Sequence, residues 1–357
     1  MAEDVPLQYP VNALVSFHYF AKDNIAEMAE WGLNLIGDSG AYSADSLGAP
    51  ISLDAFAEWA HRWKDSLAWV ASLDEIGNAK GTWDNWQRLR KMGLDVVPTV
   101  HYGCDPKELD RYVDEGVDFV GLGGMVPRKS EPERLLRWCL SMFKYARDNH
   151  PEMRFHGWGV THPRLVQNLP WYSVDSSGFS SAYRYARLTL FDPKQGKMIP
   201  ITLNGKDIFK HSELVRKVYG ADPARICVSN NLTRRDLVRV AISSVQKLEE
   251  FLRKRHGYVS VPVYGINTGS EGPNVHYVGT GPYLGAVGPE GSEFTKNMGM
   301  PPRKGPNIHA SVGSSKSDYA FMFDQVAGGK VHVALGFPSS QATKGLNPKD
   351  AEPTKIE

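Results

Sequence analysis

Cysteine is scarce: the 357-residue chain has three, Cys104, Cys139 and Cys227, far apart in sequence. That excludes a disulfide scaffold and any Cys-x-x-Cys metal knuckle, and it fits a reducing compartment. An excess of one charge is also lacking, because 41 Lys and Arg stand against 40 Asp and Glu, for a net charge of +1. Any surface that grips phosphates must therefore be local. No stretch is apolar enough to span a bilayer, and the start, "MAEDVPLQYP", lacks the basic and apolar regions of a signal peptide. The expectation is a cytoplasmic, globular protein without an internal repeat.

What is present is an alternation of strand and helix patterns from about residue 11 to 255. Short apolar runs fall at "NALVSFHYF", "LNLIGDSG", "LAWVASLDE", "DVVPTVHYG", "DFVGLGGM", "RFHGWGV", "YSVDSS" and "RICVSNN". Helical periodicity lies between them. Phe56, Trp59, Ala60, Trp63 and Leu67 make one apolar stripe behind a Ser52 N-cap. Ser130 and Glu133 have capping-box spacing, Asp105-Pro106 and Gly116 bracket another helix, and a long helix begins near Thr233. Eight strands alternating with helices over such a length predict an α/β fold, a (β/α)8 TIM barrel spanning 1–255. A doubly wound open sheet would need a glycine-rich phosphate turn after the first strand, and "SFHYFAKDN" has none.

Two stretches break the rhythm. Residues 179–223 form a long insertion between strands 7 and 8. It carries Arg184, Arg187, Lys194, Lys197, Lys206 and Lys210, with Tyr183, Tyr185, Phe191 and Phe209 interleaved. Such a mixture suits a nucleic-acid backbone and its bases, or simply a solvated loop and helix. Residues 256–357 are rich in Gly and Pro and predict an irregular C-terminal appendage whose last dozen residues are disordered.

The candidate chemistry gathers at the predicted C-terminal strand ends: His18, Asp38, Asp74, His101, Gly123, Gly124, His156, Trp158, Asp175 and Asn230. A carboxylate at the end of a buried strand is costly unless paired or used. Three of them in equivalent places suggest one site at a barrel mouth. One carboxylate can attack a glycosidic carbon while another exchanges a proton with the leaving group. Each Asp taken singly is equally well a turn or cap residue.

These residues carry a family resemblance. "GDSGAYS", with Asp38, Ser39 and Tyr42, resembles the Asp-Ser-Gly-Gly-aromatic motif of the tRNA-guanine transglycosylases. "SLDE" is similar to their Phe-Asp-Glu strand end, "GLGGM" to their Gly-Gly-Leu loop, and "HGWGVTHPRLV" to their Met-Gly-x-Gly-x-Pro segment. "SVDSS" falls where that family has its nucleophilic aspartate, so the ordered set spans about residues 34–180. The resemblance implies Asp175 as nucleophile on the anomeric carbon and Asp38 as general acid/base. It implies Asp74 and the amides of Gly123 and Gly124 on the purine edge, with Tyr42 stacking on the base opposite His156 or Trp158. Ser39 and His101, the latter in place of a family glutamine, complete the implied pocket.

The departures shape the expectation. The family's zinc cluster needs three cysteines and a histidine, and Cys227 stands alone in that region, so no metal or other cofactor is expected. Ala41 replaces the second glycine, and "SSGFSSAYRYAR" replaces the segment after the nucleophile. The chain thus looks more like the branch, found in bacteria and their phages, that exchanges guanine in DNA for a 7-deazaguanine base of the preQ0 type. DNA is the expected polymer, with tRNA the alternative. A barrel glycoside hydrolase using Asp38 and Asp175, or an inert nucleic-acid-binding subunit, are the rivals from other classes.

Overall fold

The computed structural model describes residues 7, 11–30, 33–160, 162–176, 186–203, 207–227, 234–256, 274–279 and 309–312. The first half of the chain repeats a strand followed by helix. β1 (Val11–Ser16) leads into a helical turn α1 (Phe17–Phe20) and α2 (Ile25–Glu30). β2 (Leu33–Asp38) is followed by α3 (Ala41–Ser46) and α4 (Leu53–Trp63), then β3 (Val70–Ala71) by α5 (Ala79–Lys91). β4 (Val96–Val97) and β5 (Thr99–His101) precede α6 (Glu108–Val113), and β6 (Phe119–Gly123) precedes α7 (Pro132–Asn149). β7 (Arg154–Gly157), α8 (Pro163–Asn168) and β8 (Ser173–Ser176) complete the series.

These strands belong to a parallel sheet ordered β4-β3-β2-β1-β12-β11-β8-β7-β6-β5, in which β11 (Asn274–Gly279) and β12 (His309–Val312) lie between β8 and β1. β4 and β5, at the two ends of that order, are separated in sequence by Pro98 alone. Proline cannot donate to a strand ladder, which explains the break. The Pro98 carbonyl still accepts from Gly121 N at 2.8 Å. β1 is buried at all six positions, as expected of a parallel strand covered on both faces.

Helices close over the sheet through identifiable contacts. Ser52 caps α4 by accepting from Ala55 N, and the apolar stripe faces inward through Phe56, Trp59 and Ala60. Trp59 Nε1 donates to the Phe20 carbonyl at 3.2 Å. A side chain at Gly37 would meet Leu67 at 3.0 Å and Trp59 at 3.3 Å, so that glycine sets how closely α4 approaches β2. Trp86 of α5 is fully buried and donates to the Val96 carbonyl at 3.0 Å.

The structure corrects three expectations. α7 begins at Pro132 with Glu131 as its cap and no capping-box bond from Ser130. The proline takes the first helical position, and Glu131 pairs instead with Arg134 at 2.6 Å. The strand expected at "RICVSNN" is not one in its described part. Pro223–Ile226 is a helical turn, capped by Asp222 through Ala224 N, and the described strand that pairs with β8 on its far side is β11. β11 and β12 fall in the stretch expected to be an irregular appendage, yet both pair with β1.

The described part of the insertion is a hairpin followed by short helices. β9 (Arg187–Asp192) pairs antiparallel with β10 (Lys197–Thr202), and α9 (Asp207–Lys210), α10 (Ser212–Tyr219) and α11 (Pro223–Ile226) follow. The hairpin docks on α12 (Arg234–His256): Phe191 N donates to Ser244 Oγ at 2.8 Å, and that hydroxyl donates to the Thr189 carbonyl at 3.0 Å. Phe191, expected among the base-stacking aromatics, is fully buried against Phe251, 5.1 Å between ring centres. No helix among the described residues is long and apolar enough to cross a membrane.

Candidate active site

In a parallel sheet all strand C-termini lie along one edge, so residues ending β2, β5, β6, β7 and β8 face the same side. Asp38 is the last residue of β2, and Asp175 is the third of the four in β8. Asp74 lies three residues beyond β3. The three carboxyl groups share one electrostatic environment. The Asp38 carboxyl is pushed up to about 7 by desolvation and then by the charges of Asp175 and Asp74. A Gly40 N–H bond to Asp38 Oδ2 at 3.0 Å and the nearby Ser16 hydroxyl pull the other way.

Gly40 is the local reason the β2–α3 turn has this form. Its φ is +77°, and any side chain there would collide with Ser16 Oγ and His18 Cβ. Ser39 is buried, and its Oγ accepts from Ala41 N at 3.4 Å. Tyr42, on the first turn of α3, is 47% exposed and free to offer a ring face. His18 sits on α1, half-buried, its pKa lowered by desolvation.

Asp74 is also raised to about 7, by desolvation, with a Thr99 hydroxyl bond acting against the rise. Its Oδ2 lies 3.6 Å from His101 Nε2, and both side chains are largely buried. Burial lowers the pKa of His101, so near neutral pH its imidazole is uncharged. Asp74 Oδ1 and His101 Nε2 are buried without a hydrogen-bond partner among the described residues. Two unsatisfied buried polar atoms this close together are costly, and a ligand edge carrying a donor and an acceptor would satisfy them if it reached both.

The floor of the site is aromatic. Trp158 follows β7 and donates through Nε1 to Thr99 Oγ1 at 3.1 Å. It occupies space that exists only because residue 121 is glycine, since a side chain there would collide with the indole. Gly123 is equally constrained, with Thr99 Cγ2 only 2.8 Å from where its Cβ would be. Gly124, at φ +70°, is exposed beside His101.

Asp175 is held differently. Its Oδ1 accepts from Gly159 N at 2.5 Å and lies 3.5 Å from His156 Nε2. His156 is wholly buried, so it is not an open stacking surface for a base; it contacts the Trp69 and Trp158 rings at 5.0 and 4.1 Å. Its Nδ1 is 2.7 Å from Ser173 Oγ. Trp69, Thr99, Ser173, Ser16 and Gly159 were not singled out in the sequence. Strand alternation finds two of them: Thr99 with His101, and Ser173 with Asp175, are two apart and share a face.

Of the proposed nucleic-acid contacts, Arg187, Lys194 and Lys210 are exposed. Lys210 is engaged with Asp207 at 3.3 Å. Arg184, Lys206 and Asn230 lie outside the described residues. Among the described residues no group of three or more His, Cys, Asp or Glu is arranged to hold a metal ion. A scan of the sequence against protein-family models returns no match, and none of the curated proteins matches it significantly.

Proposed function

We propose that this protein is a base-exchanging pentosyltransferase that replaces guanine in DNA by a 7-deazaguanine base, through a covalent aspartyl intermediate. The fold that goes with this reading is a closed (β/α)8 barrel in which β4 and β5 are one strand interrupted at Pro98; that leaves nine strands in the order, so one of β11 and β12, which both pair with β1, is extra to the eight. The observation that carries the reaction is the electrostatic coupling of Asp38 to Asp175 and Asp74, with Asp38 and Asp74 both raised to about 7. A carboxyl group of that pKa can be an acid at one step and a base at the next near neutral pH.

Asp175 attacks C1′ of the target nucleoside as the bond to guanine breaks, and Asp38 delivers a proton to the departing base. The ionised Asp38 then takes a proton from the incoming base, which attacks C1′ and releases Asp175. Asp74, as a carboxylate, accepts the paired N–H donors of the purine edge, and Tyr42 offers a ring face to the base. Target extrusion from a duplex, or capture from a single strand, precedes these steps. A polynucleotide is supported by the exposed Arg187, Lys194 and Lys197 on the hairpin that follows β8, outside the ion pairs that engage Lys210, Arg216 and Lys217. DNA is preferred to tRNA because the cysteine cluster of the tRNA enzymes that the chain resembles has no counterpart around Cys227.

The test is incubation with radiolabelled guanine and, separately, duplex DNA, single-stranded DNA and tRNA. Uptake of label into DNA is the expected result. Uptake into tRNA alone would move the substrate to RNA. No uptake, with reducing sugar released from oligosaccharides instead, would replace the reading by glycoside hydrolysis.

A further inference from the structure

We propose that Ser173 and His156 form a buried positioning relay behind Asp175, in which a neutral imidazole donates from Nε2 to Asp175 Oδ1 and leaves Oδ2 as the attacking oxygen. The inference rests on Asp175 being the nucleophile of the proposed reaction.

Strand register assembles the relay. His156 of β7 pairs directly with Ser173 of β8, and Asp175 lies two residues on, on the same face as Ser173. The spacing is 2.7 Å from Ser173 Oγ to His156 Nδ1, then 3.5 Å from Nε2 to Asp175 Oδ1, a separation at which Nε2 faces the carboxylate without closing a hydrogen bond, so the relay closes by a shift of a few tenths of an ångström. His156 and Ser173 are both fully buried. The Trp69 and Trp158 rings, 5.0 and 4.1 Å away, fix the plane of the imidazole between them.

The tautomer follows from donor and acceptor rules. Desolvation lowers the pKa of His156, so the ring is neutral, with one nitrogen donating and the other accepting. An ionised carboxylate only accepts, whereas a serine hydroxyl can do either. The arrangement that satisfies both neighbours has the proton on Nε2, facing Asp175, and the Ser173 hydroxyl donating to Nδ1. The reverse tautomer would set a ring lone pair against a carboxylate oxygen.

The second donor reaches the same oxygen. Gly159 N–H is 2.5 Å from Oδ1, at a position whose φ of +64° and contact with Val126 require glycine. With Gly159 N–H on Oδ1 and the proposed Nε2–H facing the same oxygen, attack runs through Oδ2. The Oδ2–C1′ bond forms as the C1′–N bond breaks, its electron pair leaving with the base. Oδ1 becomes the ester carbonyl oxygen and keeps both hydrogen bonds. His156 transfers no proton at any step; it is a positioning residue.

Two measurements on the full chain test this. The first is the ¹⁵N spectrum of the histidine side chains near neutral pH, with His156 assigned by loss of its signals in His156→Gln. A proton on Nε2 is expected; a proton on Nδ1, or on both nitrogens, overturns the relay. The second is the single-turnover rate of protein–DNA adduct formation. His156→Met should form adduct about 10- to 100-fold more slowly, the effect of losing a hydrogen bond to a charged group, while the half-saturating DNA concentration changes by less than about twofold. His156→Gln, which keeps an N–H in reach of Oδ1, should recover most of that rate, and Ser173→Ala should fall between the two. Wild-type rates in His156→Met overturn the relay, as does failure of His156→Gln to recover when its melting temperature matches wild type. If wild-type protein forms no adduct with any polynucleotide, the proposed reaction fails, and the tautomer still decides the relay.

Discussion

On the β2–β3 side of the site, Asp38 and Asp74 lie in a desolvated corner that raises both to about 7, whereas on the β7–β8 side Asp175 receives a backbone N–H and faces an imidazole. The residue type is the same throughout. The difference lies in the balance around each carboxyl group: for Asp38 and Asp74 desolvation outweighs the Gly40 N–H and Thr99 hydroxyl bonds, whereas Asp175 holds a short bond from Gly159 N on one oxygen. Desolvation favours the protonated form, which suits proton transfer. Donors fixed on one oxygen orient a carboxylate, which suits attack by the other. The comparison teaches that environment, rather than residue choice, can divide acid/base work from nucleophilic work in a cluster of three aspartates.

The sharpest way to break the comparison is to remove the group on the donor side. Asp175→Ala should abolish the covalent adduct and lower guanine exchange by on the order of 10⁴-fold, read by gel shift of denatured protein–DNA mixtures and by label uptake. Persistent adduct in Asp175→Ala would assign the nucleophile elsewhere. On the opposite side, Asp38→Asn should slow adduct formation by roughly 10²- to 10³-fold while DNA affinity stays near wild type. The pH dependence carries the sign. The proposed reaction needs Asp38 protonated for adduct formation, so its rate should fall as pH rises through about 7 in wild type, and that limb should vanish in Asp38→Asn.

The same raised values make a smaller prediction about stability. Asp74 is held near 7 when folded, against an ordinary value of 3.8, so the unfolded chain releases its proton first as pH rises. Stability is therefore greatest below about 3.8 on this account and is lost as pH climbs through about 7. Asp74→Asn removes that loss. Its melting temperature should exceed wild type at mildly alkaline pH, by an amount on the order of a few kcal/mol of stability, and the gain should shrink to nothing in acid. A variant less stable than wild type at alkaline pH would mean that the Asp74 carboxylate is held by favourable bonds instead of being penalised by burial.

Much of this arrangement is legible in the sequence, and the parts that are not have physical causes. Asp38, Asp74 and Asp175 stand out because a charged residue closing an apolar run contradicts its surroundings. Seven of the apolar runs mark observed strands, even where the strand is as short as Val70–Ala71, because turn residues punctuate them. "RICVSNN" misleads because Asp222-Pro223 just before it is a helix-start signal, a side-chain cap followed by proline. "NVHYVG" has the alternation of a strand, but its glycine-rich setting disguises β11 as tail. The burial of His156 and Phe191 is a tertiary fact: one lies under two tryptophans, the other under Phe251 of a helix more than fifty residues away. Local pattern holds no record of such neighbours.

The weakest expected effect concerns the exterior of the β7–β8 side, where the hairpin after β8 carries Arg187 and Lys194. Both are exposed, whereas Lys217 and Arg216 on α10 are paired with Glu213 at 2.7 Å and Asp222 at 3.3 Å. Paired surface cations contribute little to phosphate binding, because their charge is already balanced. Arg187→Glu with Lys194→Glu should therefore weaken DNA binding and reduce the slope of log affinity against log salt by about 2, one for each phosphate no longer neutralised. Lys217→Glu, by comparison, should change the slope by less than about 0.5. Fluorescence anisotropy of labelled DNA across a salt series distinguishes the two. Equal slopes for both variants would remove the hairpin from the proposed polymer track.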